Sequence, residues 1–468
     1  MIGKTSGSKG GASMARLIQN LREMLTDRDY LKRLGKLALP MALASIMSSS
    51  LQIIDTLMIA SLGDVAIAAT GMANRFTYLF SSFIAGFSSG ASVFGAQFWG
   101  DKNPGGLRRT LTLSLMLLMP CAALFCLIAC FAPHWVMNIF SSDPSVIEEG
   151  CIYLRLIGPA YLFQSLAAML AAMLKATERP SIAVCASAAG ILTNVFLNYV
   201  MIFGKLGLPA MGVKGAAAAT LIAAALEAAV VIVLAQVRKA PVTLRKLALP
   251  DRIFTVQFLK VSLPVLLNDV VWTAGIVGMA WVYSTMGTAA AAAASVYETI
   301  KAFVVVCCIA VGGAGGILLG IELGAGRMEN AEKYATRILM SGILVALCVI
   351  PVMLIAVDPL LRLYGKMSQE ALSGLRGMLI TLAVCFWIKM TAYNLICGIA
   401  RAGGDSFLPG LYDIFGHCCV ALPLVFITGY LLKWPLTQVF PLTFTGDVVV
   451  VALCYHRYRK GYWKHKLS

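Results

Sequence analysis

The chain has 468 residues, 59% of them hydrophobic and only 13% charged, with a formal net charge of +16. An average soluble domain carries about 25% charged residues, so a soluble globular protein is excluded. Nucleic-acid binding is excluded as well, because the basic residues gather at the margins of apolar runs, where anionic lipid headgroups would meet them.

Residues 1–31 read as a cytoplasmic N-terminal tail, polar and glycine-rich from Met1 to Ser13, without the apolar core of a cleavable signal. Twelve apolar stretches follow, at 37–62, 65–99, 109–133, 148–174, 182–204, 212–237, 255–286, 289–323, 333–357, 371–400, 407–432 and 436–456. Each exceeds the ~20 residues needed to cross a bilayer core. The polar breaks between them alternate in charge. Lys32, Arg33, Lys36, Arg108, Arg109, Arg238, Lys239, Arg245, Lys246 and the run from Arg457 to Lys460 occupy the tails and every second loop. The other loops hold Lys205, Lys214, Arg362, Lys366, Arg376 and Lys433. The positive-inside rule then puts both termini and the basic loops in the cytoplasm. The expectation is an all-α, multi-pass protein of the cell (cytoplasmic) membrane.

A shift of 224 residues superimposes the first spans of two halves. Pro40 falls on Pro264, Gly63 on Gly287 and Gly100 on Gly324, while Ala66–Ala69 fall on Ala290–Ala293. The chain therefore reads as a tandem duplication, with an N-lobe of six spans at 32–237, a cytoplasmic linker at 238–254, a C-lobe of six spans at 255–458 and a cytoplasmic tail at 459–468. Six is even, so both halves enter the membrane from the same side, as parallel repeats. Paired bundles of that kind place a solute site between them near the midplane and work by rocking. Pro40 and Pro264 each remove a backbone donor inside an apolar helix and are candidate bending points.

A charge in the bilayer interior is costly, which makes each one a functional candidate. At ~1.5 Å per helical residue, Asp55 lies about 12 Å below the outer face, Asn74 about 13 Å, Asn198 about 9 Å with Asn194 one turn deeper, and Thr220 about 12 Å. A carboxylate, amides and a hydroxyl on one level are the inventory for holding a proton or a small hard cation. The bland alternative for the amides is an interhelical hydrogen-bond clamp. In the second half, Asp269, Asp413 and Lys389 lie about 13, 12 and 18 Å from the inner face. Glu298 and Lys301 are three apart and can pair on one helix face. Two acids near two lysines can neutralise one another, so this cluster reads either as scaffold or as a substrate or gating site. His417, one turn from Asp413, reads first as a lone histidine facing its helix neighbour. The methionines and span aromatics such as Phe76, Tyr161, Trp272 and Tyr393 read mainly as packing.

Thirteen cysteines lie mostly inside spans with no CxxC pairing, and four histidines are scattered. No metal centre, disulfide framework, cofactor site or hydrolase motif is expected, and an enzyme is not the expectation.

The segments LALPMALASIMSSSLQIIDTLMIASLGDVAIAATGMANR, GASVFGAQFWGDKNPGGLRR, NVFLNYVMIFGKLGLPAMGVKGAAAAT and GIARAGGDSF resemble the MATE (multidrug and toxic compound extrusion) family, over roughly residues 32–465. The resemblance implies twelve helices in two six-helix lobes around a V-shaped cleft. It also implies a secondary antiporter exporting amphipathic, often cationic, drugs or metabolites in exchange for protons or sodium ions. Asp55 is similar to the family's coupling acid on the first helix, and Asn194 to the asparagine of the fifth. Asn198 stands where proton-coupled members often carry an aspartate, which leaves sodium, or Asp55 alone as proton carrier, open. Glu298 and Lys301 stand where neutral amides are expected. The LNDVVW segment around Asp269 is similar to an acid-bearing seventh helix, with Lys389 as its expected partner. A lipid-linked precursor flippase of the same superfamily is the alternative, ranked lower because only Arg75 and Arg155 lie inside first-half spans. The expected partners are a small-molecule substrate, a proton or sodium ion and membrane lipid, with the protein a monomer.

Overall fold

Apolar side chains all round a helix leave its backbone no partner but itself in lipid, so helices are the outcome the composition dictates. The computed structural model describes residues 19, 21–244, 248–364 and 367–467. The polar start at Met1 to Ser13, Arg245, Lys246 and Lys366 lie outside the described residues. Among the described residues, eleven helices are long and apolar enough to cross a membrane: Arg28–Ala60, Asp64–Gly100, Pro104–Phe131, Pro180–Phe203, Val213–Val237, Arg252–Thr285, Thr288–Gly324, Met328–Leu363, Gln369–Gly403, Phe407–Leu431 and Leu436–Arg459. The fourth span, expected as one run, is instead a pair, Pro144–Ile157 and Ala160–Ala176, bent by 49°. Pro159 follows Gly158 at the break and has no N–H to continue the helical ladder. Counted as one broken span, the pair brings the total to twelve. A short helix, Pro133–Phe140, precedes it; Phe131 and Trp135 are exposed there. The first and seventh helices run continuously through Pro40 and Pro264.

Two of the described spans contain π-helical turns. The tenth widens into a π turn at Asn394–Ala400, and the eleventh does so at Phe415–Ala421 and Ile427–Leu431. Such turns often accompany functional sites, and His417 lies in the second of them.

Contacts between the halves reproduce the duplication. The first span packs on the eighth, and the seventh packs on the second. These two pairs exchange under the 224-residue shift, as a pseudo-twofold relation requires. The second and eighth spans also cross directly, and there the backbones nearly touch. A Cβ on Gly100 would sit 2.0 Å from the Ile321 carbonyl oxygen, and one on Gly324 would sit 1.9 Å from that of Gln97. Only hydrogen fits at these two positions, which is why the repeat places glycine at both.

The basic-loop end of the bundle is closed by ion pairs. Arg33 of the first span reaches Glu178 at 2.9 Å and Glu322 of the eighth at 3.5 Å, while Arg327 reaches Glu322 at 2.6 Å. Asp27 caps the first span, accepting from the Tyr30 N–H at 2.9 Å and from Arg337 at 2.6 Å. That N–H, with the Arg337 guanidinium beside it, holds the Asp27 carboxyl below its usual range despite partial burial.

Candidate functional site

Each lobe contains a cavity of its own. In the first half, a cavity of about 350 Å³ is lined by Gln52, Asp55, Asn74, Tyr153, Asn198 and Thr220, among others. Asp55 lies near the Ala60 end of its helix, and Asn194 and Asn198 are i,i+4 neighbours on one face of the fifth span. A directed chain of hydrogen bonds joins them. The Thr220 hydroxyl donates to the Ala216 carbonyl at 3.0 Å, and Asn194 Nδ2 donates to Thr220 Oγ1 at 3.2 Å. Asn198 Nδ2 donates both to Asn194 Oδ1 at 2.9 Å and to Asp55 Oδ1 at 2.7 Å.

The chain ends on a carboxylate with no basic partner within 4 Å among the described residues. Asn198 commits both N–H groups to it and leaves Oδ1 buried without a partner. Native structures rarely leave a buried polar atom unpaired, and a cation is one species that would satisfy this oxygen. Asn194 does not line the cavity; it stands behind Asn198 and orients it. Asn74 lies apart from the chain and accepts from the Tyr153 hydroxyl at 3.5 Å. Gln52, Gln164 and Tyr153 line the same cavity. They are neutral residues, and a search for buried charge passes over them.

The second-half cavity, about 330 Å³, combines aromatic walls such as Trp272, Tyr297 and Phe444 with Glu298, Lys301, Lys389, His417 and Asp447. Glu298 and Lys301 pair at 2.5 Å. Lys389, however, does not pair with Asp269. Its ammonium sits 3.3 Å from Asp447 of the twelfth span. His417 is no lone histidine either: Nδ1 lies 3.2 Å from Asp413 and Nε2 lies 3.6 Å from Asp447. Asn268 Nδ2 donates to Asp413 at 3.0 Å, and Arg401 donates to Asn268 Oδ1 at 3.3 Å.

A polar path thus runs from Lys389 through Asp447, His417, Asp413 and Asn268 to Arg401. Asp269 has no ion-pair partner within 4 Å among the described residues. The reason is rotational: successive helix residues point about 100° apart, so with Asn268 turned to Asp413, its neighbour Asp269 faces elsewhere. Asp447 was the acid that sequence reading missed, although the same depth count applied along the twelfth span would have found it. Glu227 of the sixth span was missed too; it accepts from Ser187 at 2.6 Å.

A family model described as MatE matches residues 40–200 and 264–427. An uncharacterized transporter, YisQ of Bacillus subtilis, is 21% identical over 88% of this chain and 90% of its own. A probable multidrug resistance protein, NorM of Burkholderia pseudomallei, is 25% identical over 85% of this chain and 84% of its own. Among solved structures, the outward-facing conformation of a multidrug resistance MATE family transporter superposes with a TM-score of 0.83 at 19% identity, covering 92% of this chain and 96% of that one. A MOP superfamily transporter from Pyrococcus furiosus gives 0.83 at 18% identity, covering 92% and 96%. These likenesses show a fold of twelve helices in two bundles.

Proposed function

This chain belongs to the MATE family, and from that premise we propose that it is a secondary active antiporter, exporting amphipathic, often cationic, solutes in exchange for protons or sodium ions. The alternating charge of the loops supports a cell-membrane protein with its basic end and both termini in the cytoplasm. In that orientation the two cavities lie toward the outside. Curated relatives named as multidrug resistance proteins support a broad solute range.

The single observation that carries the reading is the first-half donor set: Asp55, with no basic side chain within 4 Å among the described residues, bonded to Asn198, whose Oδ1 is buried and unused. A carboxylate and an amide oxygen on adjacent helices are oxygen donors of the kind a proton or a small hard cation takes. A cation arriving at Asp55 neutralises it and changes what Asn198, Asn194 and Thr220 must satisfy. That gives the first, fifth and sixth spans two arrangements of different energy, which is what coupling requires. Asn74 joins this set from the opposite wall.

Asp269, Glu298, Lys301, Lys389 and Asp413 are proposed to serve substrate binding or gating in the second lobe. Its mixed charge and aromatic wall suit amphipathic guests. Pro40 and Pro264 are proposed as the points where the first and seventh spans flex. The test is efflux from proteoliposomes under an imposed sodium or proton gradient, each applied separately. Gradient-driven efflux with one ion assigns coupling, and none with either ion removes the antiporter reading.

A further inference from the structure

Residues 461–467 leave the twelfth span and cross the basic end of the bundle in irregular conformation. Their contacts divide between the two halves. On the C-lobe side, Trp463 is 3% exposed, and its ring stacks on Tyr458 at 6.0 Å. The Trp463 carbonyl oxygen would be 1.7 Å from a Cβ on Gly403, so the strap lies flat against the tenth span there. Lys464 Nζ donates to Glu332 of the ninth span at 2.5 Å.

On the N-lobe side, Lys466 Nζ lies 2.7 Å from Asp101, at the end of the second span, while Leu467 sits on the seam, against Gly404 of the C-lobe and against the apolar core that the first-half spans share with Phe254 and Phe258. Between the two sides sits Gln97 of the second span, fully buried. Its Nε2 donates to the Ala402 carbonyl at 2.9 Å and to that of His465 at 3.3 Å, and its Oε1 accepts from the Leu467 N–H at 2.7 Å. One side-chain amide therefore ties together the second span, the tenth span and the strap.

We propose that Gln97 and the 461–467 strap form a latch that holds the two lobes together at the basic end and sets the balance between closed and open forms there. This inference rests on the alternating-access reading above. Opening the basic end must part the second span from the eighth and tenth, so the strap must leave one lobe. It stays with the C-lobe, to which the twelfth span and the buried Trp463 anchor it, and it releases Asp101 and Gln97. Gln97 is then left in an opening crevice until water reaches it, and a buried amide without partners is costly. The latch thus favours the closed basic end without touching ion or solute, which makes Gln97 a positioning residue.

The test uses hydrogen–deuterium exchange of the full chain in lipid nanodiscs, comparing the native chain with Gln97→Ala, Lys466→Glu, Asp101→Lys and the swap Asp101→Lys/Lys466→Glu. Gln97→Ala should speed exchange on the order of tenfold at amides 96–102, 320–326 and 398–404, and leave the opposite ends of those helices unchanged. Each single charge reversal should give a smaller rise at the same amides, which the swap reverses. Faster exchange confined to the strap, an unchanged pattern, or a swap that restores nothing would overturn the latch. Should Gln97→Ala fail to fold, the surface reversals and their swap decide alone. The readout requires no transport, so loss of the antiporter reading would show in the efflux assay and failure of the latch would show here.

Discussion

The two six-helix bundles share one pattern, yet their cavities solve the problem of buried charge in opposite ways. In the first lobe a single carboxylate, Asp55, is supported by neutral donors alone, the nearest being Asn198 at 2.7 Å. In the second, Lys389, Asp447, His417 and Asp413 offset one another within 3.2–3.6 Å, beside the Glu298–Lys301 pair. An acid without a countercharge in a low-dielectric setting is unstable until something positive arrives, so its occupancy can drive a change. A cluster whose acids already face a lysine and a histidine gains less from another ion. On the function proposed above, the first lobe would be the one that responds to an ion, and the second would hold a shape or meet a guest that brings its own charges.

The contrast breaks first at Asp55. Asp55→Asn should abolish gradient-driven efflux in proteoliposomes while the protein inserts and folds normally. Normal efflux by a well-expressed Asp55→Asn variant would put the coupling group elsewhere.

A large effect of a different kind is expected at the second-lobe cluster. Lys389→Met leaves Asp447 buried with His417 as its remaining partner, and breaking such a pair typically costs about 3–5 kcal/mol. The loss should appear as a lower thermal midpoint in detergent and reduced yield. The double variant Lys389→Met/Asp447→Asn should recover part of it. Strictly additive losses would mean that the two groups do not interact. Asp269→Asn, by contrast, should not be rescued by Lys389→Met. If the recovered double variant folds but no longer exports cationic solutes, the pair belongs to the substrate site.

The next test sharpens the first-lobe side. Asn198→Ala should raise the cation concentration for half-maximal efflux by about tenfold, the loss of one charge-assisted contact. Asn198→Asp should convert a single-acid pH profile into the two-step titration of a coupled pair. Unchanged ion and pH dependence in both variants would leave Asn198 as a helix clamp.

The smallest effect is expected at Glu298, whose side chain is 47% exposed. Glu298→Gln keeps an oxygen acceptor beside the Lys301 ammonium, whose side chain is 17% exposed, so the thermal midpoint should fall by less than in Lys389→Met. A shift in the half-saturating concentration of a cationic solute, at unchanged stability, would assign Glu298 to the guest.

The helices, their repeat and their sidedness in charge were legible in the chain itself. Apolar runs longer than a bilayer is thick admit few structures, and the coincidence of Pro40 with Pro264 and Gly100 with Gly324 marks the duplication. The level of each polar group along its helix was legible too, because rise per residue is constant. Rotation about the helix axis was not. The resemblance implied that Asp269 meets Lys389, whereas tertiary packing turned Lys389 to Asp447 and Asn268 to Asp413, on helices far apart in sequence. The π turn that carries His417 and the strap laid over Gln97 are likewise settled by contacts between distant segments. A one-dimensional pattern fixes what a residue is and how deep it lies; only the packed bundle decides which way it faces and what it meets there.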